Sequence, residues 1–212
     1  MTTTPPDALL LLTRQCPYCP TVLETLAGLL KQGLIGRLEA VDIESHPDRA
    51  AEFGVRSVPW TRIGPFALEG LQSPEALKHW AQQAVRPEGL AEYLATELRE
   101  GRLGKLTHEL RRQPAWLDTL LEMAADPEAE LTVRIGISAL LEDIAGSEML
   151  GQRLDSLLRL SHHPDPRVRA EACHYLALSA RPEARRRLEE MRQDPAPTVR
   201  DMVQDVLEDW PV

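Results

Sequence analysis

The stretch Ala8-Leu-Leu-Leu-Leu-Thr-Arg-Gln-Cys16-Pro-Tyr-Cys19 carries two signals within a dozen residues, an apolar run and a pair of thiols. Ala8 to Leu12 has the length and composition of a strand buried on both faces, and Thr13-Arg-Gln15 leads from it into the cysteines. Beyond them Val22, Leu23, Leu26, Leu29 and Leu30 recur at helical spacing until Gly33. The reading is a strand, a turn and a helix. Cys16 is expected at or just before the helix N-terminus and Cys19 within its first turn, with Pro17 between them at a place that suits a fixed φ.

That placement has chemical consequences. Unpaired backbone N–H groups and the positive end of the helix dipole favour an anion at Cys16 and lower its thiol pKa from ~8.5 toward neutrality. The thiolate is the species that attacks disulfides. Cys19, three positions on, lies on the same side and within reach of a disulfide, so it can resolve the mixed disulfide that Cys16 forms. The chain has three cysteines, too few and too odd for a disulfide framework. Cys173, inside Ala170-Glu-Ala-Cys-His-Tyr-Leu176, reads as helix packing. A structural zinc would want four ligands, and neither a second C-x-x-C nor any H-x-x-x-H is present. His46, His79, His108, His162, His163 and His174 show no ligand spacing, so no metal and no cofactor is expected.

Outward from this segment, Leu38, Val41 and Ile43 mark a second short strand, and His46-Pro-Asp48 opens a helix that Gly54 closes. Val58-Pro59 precedes a strand over Trp60 to Ile63, Gly64-Pro65 turns the chain, and Phe66 to Leu68 pairs back. Ser73-Pro74-Glu75 starts a last helix with Ser73 as N-cap and Pro74 at its first position. The predicted order over residues 1–85 is βαβαββα.

Residues 7–85 resemble the thioredoxin superfamily. Cys16-Pro-Tyr-Cys19 is similar to the motif of glutaredoxins, and with Pro20 it resembles thioredoxin-like protein disulfide oxidoreductases. Gly54-Val-Arg-Ser-Val-Pro59 resembles the segment that ends in a cis-proline beside the active site. The resemblance implies an α/β thioredoxin-like fold, catalytic Cys16 and Cys19, and a client rim formed by Pro17, Tyr18, Val58, Pro59 and Trp60. It implies that the Val58 backbone pairs with an extended client, a strand-like mode of recognition. Three features depart from the pattern, one being the bulk of Trp60 after the cis-proline, where the family usually has a smaller residue. The strand before the motif is all leucine where thioredoxins carry an acid, which leaves the proton acceptor for Cys19 unassigned, with Glu24 a weak substitute. Glu69-Gly70-Leu71-Gln72-Ser73 replaces the glycine pair and acid by which glutaredoxins hold glutathione.

Residues 86–212 follow a different grammar, an internal repeat. Leu120 to Pro127 with Val133-Arg134, Leu157 to Pro164 with Val168-Arg169, and Leu188 to Pro195 with Val199-Arg200 align as helix, proline-marked turn and second helix. Asp165 is the expected cap of its helix, and Ala196 in the same place predicts a looser turn. In the last helix Val199, Met202, Val203, Val206, Leu207 and Trp210 form one apolar stripe. Arg134, Arg169 and Arg200 recur at repeat spacing and are expected to form a ladder with neighbouring carboxylates. Asp165-Pro-Arg-Val-Arg-Ala-Glu-Ala172 resembles short bacterial HEAT repeats, which implies an all-α solenoid over about residues 115–210 that binds a protein partner. Leu90, Tyr93, Leu94 and Leu98 predict a leading helix or pair before it.

Composition narrows the functions. The 212 residues hold 24 basic and 33 acidic side chains, a formal net charge of −9, which disfavours nucleic-acid binding. The longest apolar run, Ala8 to Leu12, is far short of the ~20 residues of a membrane span, and Met1 to Asp7 lacks a basic secretory start. A cytoplasmic location without membrane partners is expected. The chemistry predicts a thiol–disulfide oxidoreductase acting on protein disulfides, with the HEAT surface selecting or positioning a protein. Two alternatives stay open: a non-catalytic interaction scaffold, and a glutaredoxin-like iron–sulfur carrier.

Overall fold

A computed structural model describes residues 4–210, which divide into two compact units between Leu90 and Ala91. The first unit runs β1 (Asp7–Leu12), α1 (Cys19–Lys31), β2 (Arg37–Asp42), α2 (Pro47–Glu52), β3 (Trp60–Ile63), β4 (Phe66–Glu69) and α3 (Pro74–Gln83). The four strands lie in the order β2-β1-β3-β4, with β1 parallel to β2 and antiparallel to β3, and β3 antiparallel to β4. β1 is central, which explains its leucines: Ala8 to Leu11 are all buried. Gly64, at φ +55°, makes the tight β3–β4 turn, a conformation that costs glycine little. Ser73 caps α3, its Oγ accepting the Ala76 N–H at 3.1 Å.

The register sorts side chains onto two faces. Leu9, Leu11, Trp60 and Ala67 share one face and pack with Phe53, which follows α2. Phe53 and Trp60 stack with ring centroids 5.1 Å apart. On the opposite face Leu10, Thr61, Ile63, Phe66 and Leu68 are buried, and Phe66 meets Trp80 of α3 edge to face at 5.4 Å. The Thr61 Oγ1, fully buried, has no hydrogen-bond partner among the described residues. Thr61→Val, an isosteric exchange that removes this hydroxyl, is therefore expected to stabilise the unit by about 1 kcal/mol in urea unfolding. A loss of stability would instead reveal a partner such as an internal water.

The second unit is helical: α4 (Gly89–Arg99), α5 (Leu103–Arg112), α6 (Trp116–Ala124), α7 (Leu131–Asp143), α8 (Glu148–Gly151), α9 (Leu154–Leu160), α10 (Pro166–Ser179), α11 (Pro182–Met191) and α12 (Pro197–Glu208). α6/α7, α9/α10 and α11/α12 are the three repeated pairs, and Val133, Val168 and Val199 are buried at equivalent places. The arginine that follows each valine braces its own turn. Arg134 donates to the Pro127 carbonyl, Arg169 to those of His163 and Pro164, and Arg200 to those of Asp194 and Pro195. Arg134 also pairs with Glu171 at 2.6 Å and Arg169 with Asp194 at 2.8 Å, each joining its repeat to the next. Among the described residues Arg200 bonds carbonyls alone.

Two expectations need amendment. Ala196 supplies no cap, yet its turn is tied: the Asp194 carboxylate accepts the Ala196 N–H at 2.9 Å while holding Arg169. That carboxylate lies well below the usual range, chiefly because Arg169 donates to it. The α12 stripe is graded, with Val199 and Val203 fully buried and Met202, Val206, Leu207 and Trp210 half-buried. Among the described residues no helix is long and apolar enough to cross a membrane.

Candidate redox site

Cys16 and Cys19 form a disulfide with Cα atoms 5.5 Å apart. The helix begins at Cys19, which lies in its first turn as expected, while Pro17 does not open it. Cys19 is its first residue, Tyr18 is the N-cap without a side-chain bond, and Cys16 and Pro17 lie in the loop before it. Pro20, at the second helical position, is thus the residue that exploits an N–H-free first turn. Cys16 still feels the helix. The Cys19 N–H, an orphan donor at the helix start, points to Cys16 Sγ at 3.1 Å, so the sulfur occupies the place of a capping oxygen.

The two sulfurs differ in access. Cys16 is half-buried, whereas Cys19 is 3% exposed beneath the start of α1. Pro17 is exposed and Tyr18 is 55% exposed beside them. Arg14 ties the loop down: its Nε donates to Asp42 at 3.0 Å and its NH2 group to Ser45 at 3.4 Å, joining the end of β1 to the end of β2. Asp42 is held below the ordinary carboxylate range, first by the Glu44 N–H and then by Ser45 and Arg14. Sequence reading missed this brace, because its partners are 28 and 31 positions apart and carry no motif.

The Val58–Pro59 peptide is cis. Because Trp60 of β3 registers with Leu11 of β1, the residue before Trp60 lies at the end of the sheet from which the chain enters the cysteine loop. The Pro59 carbonyl accepts the Gly70 N–H at 2.9 Å, which anchors the turn to β4. Val58 is half-buried and Pro59 buried. Trp60 departs from the rim placement. Its ring is 3% exposed and stacked on Phe53 in the core, because strand alternation turns it away from solvent.

Cys173 is fully buried, its Sγ donates to the Arg169 carbonyl at 3.2 Å, and burial pushes its thiol up to about 12. It is a packing residue. Among the described residues no group of three or more His, Cys, Asp or Glu side chains is arranged to hold a metal ion. His174 pairs with Glu142 at 3.0 Å, and His163 Nδ1 accepts the Asp165 N–H at 3.1 Å.

Comparison with curated proteins finds no match to the chain. Comparison with family models finds the thioredoxin domain over residues 8–82 and HEAT repeats over residues 117–208. The mixed four-stranded sheet with the Cys16–Cys19 pair is accordingly a thioredoxin-like domain, and the helical pairs that follow it in the same chain are HEAT repeats.

Proposed function

We propose that the chain is a thiol–disulfide oxidoreductase of protein clients. The observation that carries this reading is the asymmetry of the pair: a half-buried Cys16 whose Sγ is faced by a helix-start N–H, and a buried Cys19 within disulfide distance. In the reducing direction, the Cys16 thiolate attacks a client disulfide. A Cys16–client bond forms, the client disulfide breaks, and one client sulfur leaves as thiolate. The Cys19 thiolate then attacks Cys16 Sγ, closes the intramolecular disulfide and releases the second client sulfur. Two electrons and two protons pass to the client, and an external dithiol restores the pair.

Residues 1–85 carry the redox chemistry in this proposal, and residues 86–212 bind or position a protein partner on the HEAT surface, in a cytoplasmic setting. Pro17, Tyr18 and the Val58 backbone frame the client, with Pro59 behind them and Trp60 supporting Pro59 from the core. Insulin reduction with dithiothreitol tests the chemistry. A Cys19→Ser variant, which can attack but not resolve, is expected to retain clients from cell extract as mixed disulfides that dithiothreitol releases. An absence of both turnover and trapped clients overturns the enzyme reading.

One observation favours a scaffold without turnover. Beyond Asp7 at its start, β1 is Ala8 and four leucines, so the strand leading to the cysteine loop offers no ionisable group to take the Cys19 proton. Partner association that persists in a Cys16→Ser/Cys19→Ser variant, without insulin reduction by the parent, supports it. Brown, iron-containing purified protein would support cluster carriage.

A further inference from the structure

The helical unit contains a cavity of about 280 Å³ between α6 and α9, the first helices of two successive repeats. It is lined by the apolar Leu121 and Leu160 together with Glu122, Arg159 and His163. Ten arginines of this unit hold an ion pair with a carboxylate. The exposed Arg159, like Arg111, Arg185 and Arg200, has none among the described residues, and its NH2 group bonds Ser156 Oγ at 2.7 Å. The Glu122 carboxylate, one helix away on the same cavity, likewise has no partner among the described residues, whereas Asp118 is neutralised by Arg153. His163 adds a donor: because Nδ1 accepts the Asp165 N–H, the neutral ring carries its proton on Nε2.

An exposed cation, an exposed anion and a half-buried histidine thus line a small cavity together with two leucines, and the two charges do not pair with each other. We propose that this cavity binds a free aliphatic α-amino acid. Its carboxylate would meet Arg159 and His163, its ammonium Glu122, and its side chain Leu121 and Leu160. The volume lies at the lower end of the ~300–1,000 Å³ of small-molecule sites, which suits a single amino acid and excludes a dinucleotide. The site is independent of the dithiol and needs no redox chemistry.

The test is methyl and amide NMR of the full chain titrated with leucine, leucinamide, 4-methylpentanoate and N-acetyl-leucinamide. Leucine is expected to give saturable shifts at Leu121, Ala125 and Leu160. Each single-charge analogue should bind about tenfold or more weakly, because one charged hydrogen-bond set is lost. Glu122→Gln should weaken leucine while leaving 4-methylpentanoate unchanged, and Arg159→Gln should weaken leucine while leaving leucinamide unchanged. A merely structural role would not give this crossed pattern. Equal binding of leucine and a single-charge analogue, shifts elsewhere, or none at millimolar leucine overturns the proposal. Preferential binding of N-acetyl-leucinamide also overturns it and makes the groove a seat for a peptide segment.

Discussion

Cys16→Ser is expected to lower insulin reduction to the rate of dithiothreitol alone, while Cys19→Ser stops after attack, with the client still attached. The asymmetry follows from position. Cys16 is half-buried and its Sγ is faced by the Cys19 N–H at 3.1 Å, whereas Cys19 is 3% exposed. A donor aimed at Sγ stabilises a thiolate more than a thiol, which is the basis for expecting Cys16 to be the more reactive thiol of the reduced pair. Alkylation of the reduced chain at pH 6.5 should then label Cys16 first. A free cysteine of pKa ~8.5 is only about 1% thiolate at that pH. Cys173, pushed up to about 12 and fully buried, should stay unlabelled and serves as the internal control. Retention of turnover in Cys16→Ser, or Cys16 labelling at the pace of free cysteine, refutes its role as attacker.

Glu97→Ala is expected to destabilise the helical unit by about 3–5 kcal/mol, the usual penalty for breaking a buried ion pair from one side. Glu97 on α4 is 2% exposed. Its carboxylate accepts from Lys105 Nζ at 2.9 Å and from Arg102 at 3.2 Å. Lys105, 11% exposed, also lies 5.3 Å over the ring of the fully buried Tyr93. Without Glu97 the ammonium remains buried with its main counterion gone. Lys105→Met added to Glu97→Met should recover much of the loss, because an apolar pair of similar volume has no charge to desolvate. Hydrogen exchange at the amides of α4 and α5 reads the effect locally. A cost below 1 kcal/mol for Glu97→Ala would show that the pair is solvated.

The sequence carried the alternation of short apolar runs and helical stripes well enough to predict every strand and helix of the first unit. A central strand has no polar face, so Ala8 to Leu12 needs no partner to be recognised. Sequence spacing places Cys19 in the first turn, but which proline serves that turn, Pro20 and not Pro17, is set by where backbone donors find acceptors, here the Cys16 sulfur. The family resemblance puts Trp60 on the rim beside Pro59. Only register with Leu11 and stacking on Phe53, seven positions away, turn the ring inward.

The arginine ladder divides in the same way. Repeat spacing identifies Arg134, Arg169 and Arg200, but among the described residues Arg200 bonds carbonyls alone, since a carboxylate partner depends on what packs beside each repeat. The chemistry of the chain, two thiols three positions apart at a helix start and a stack of helical pairs, was written locally, in spacings of one to four residues that hydrophobic burial and capping translate directly into structure. The Arg14–Asp42 brace, the exposure of one sulfur over the other and the cavity between α6 and α9 arise from contacts dozens of residues apart. Such contacts exist only once chain entropy has been overcome and the elements have docked.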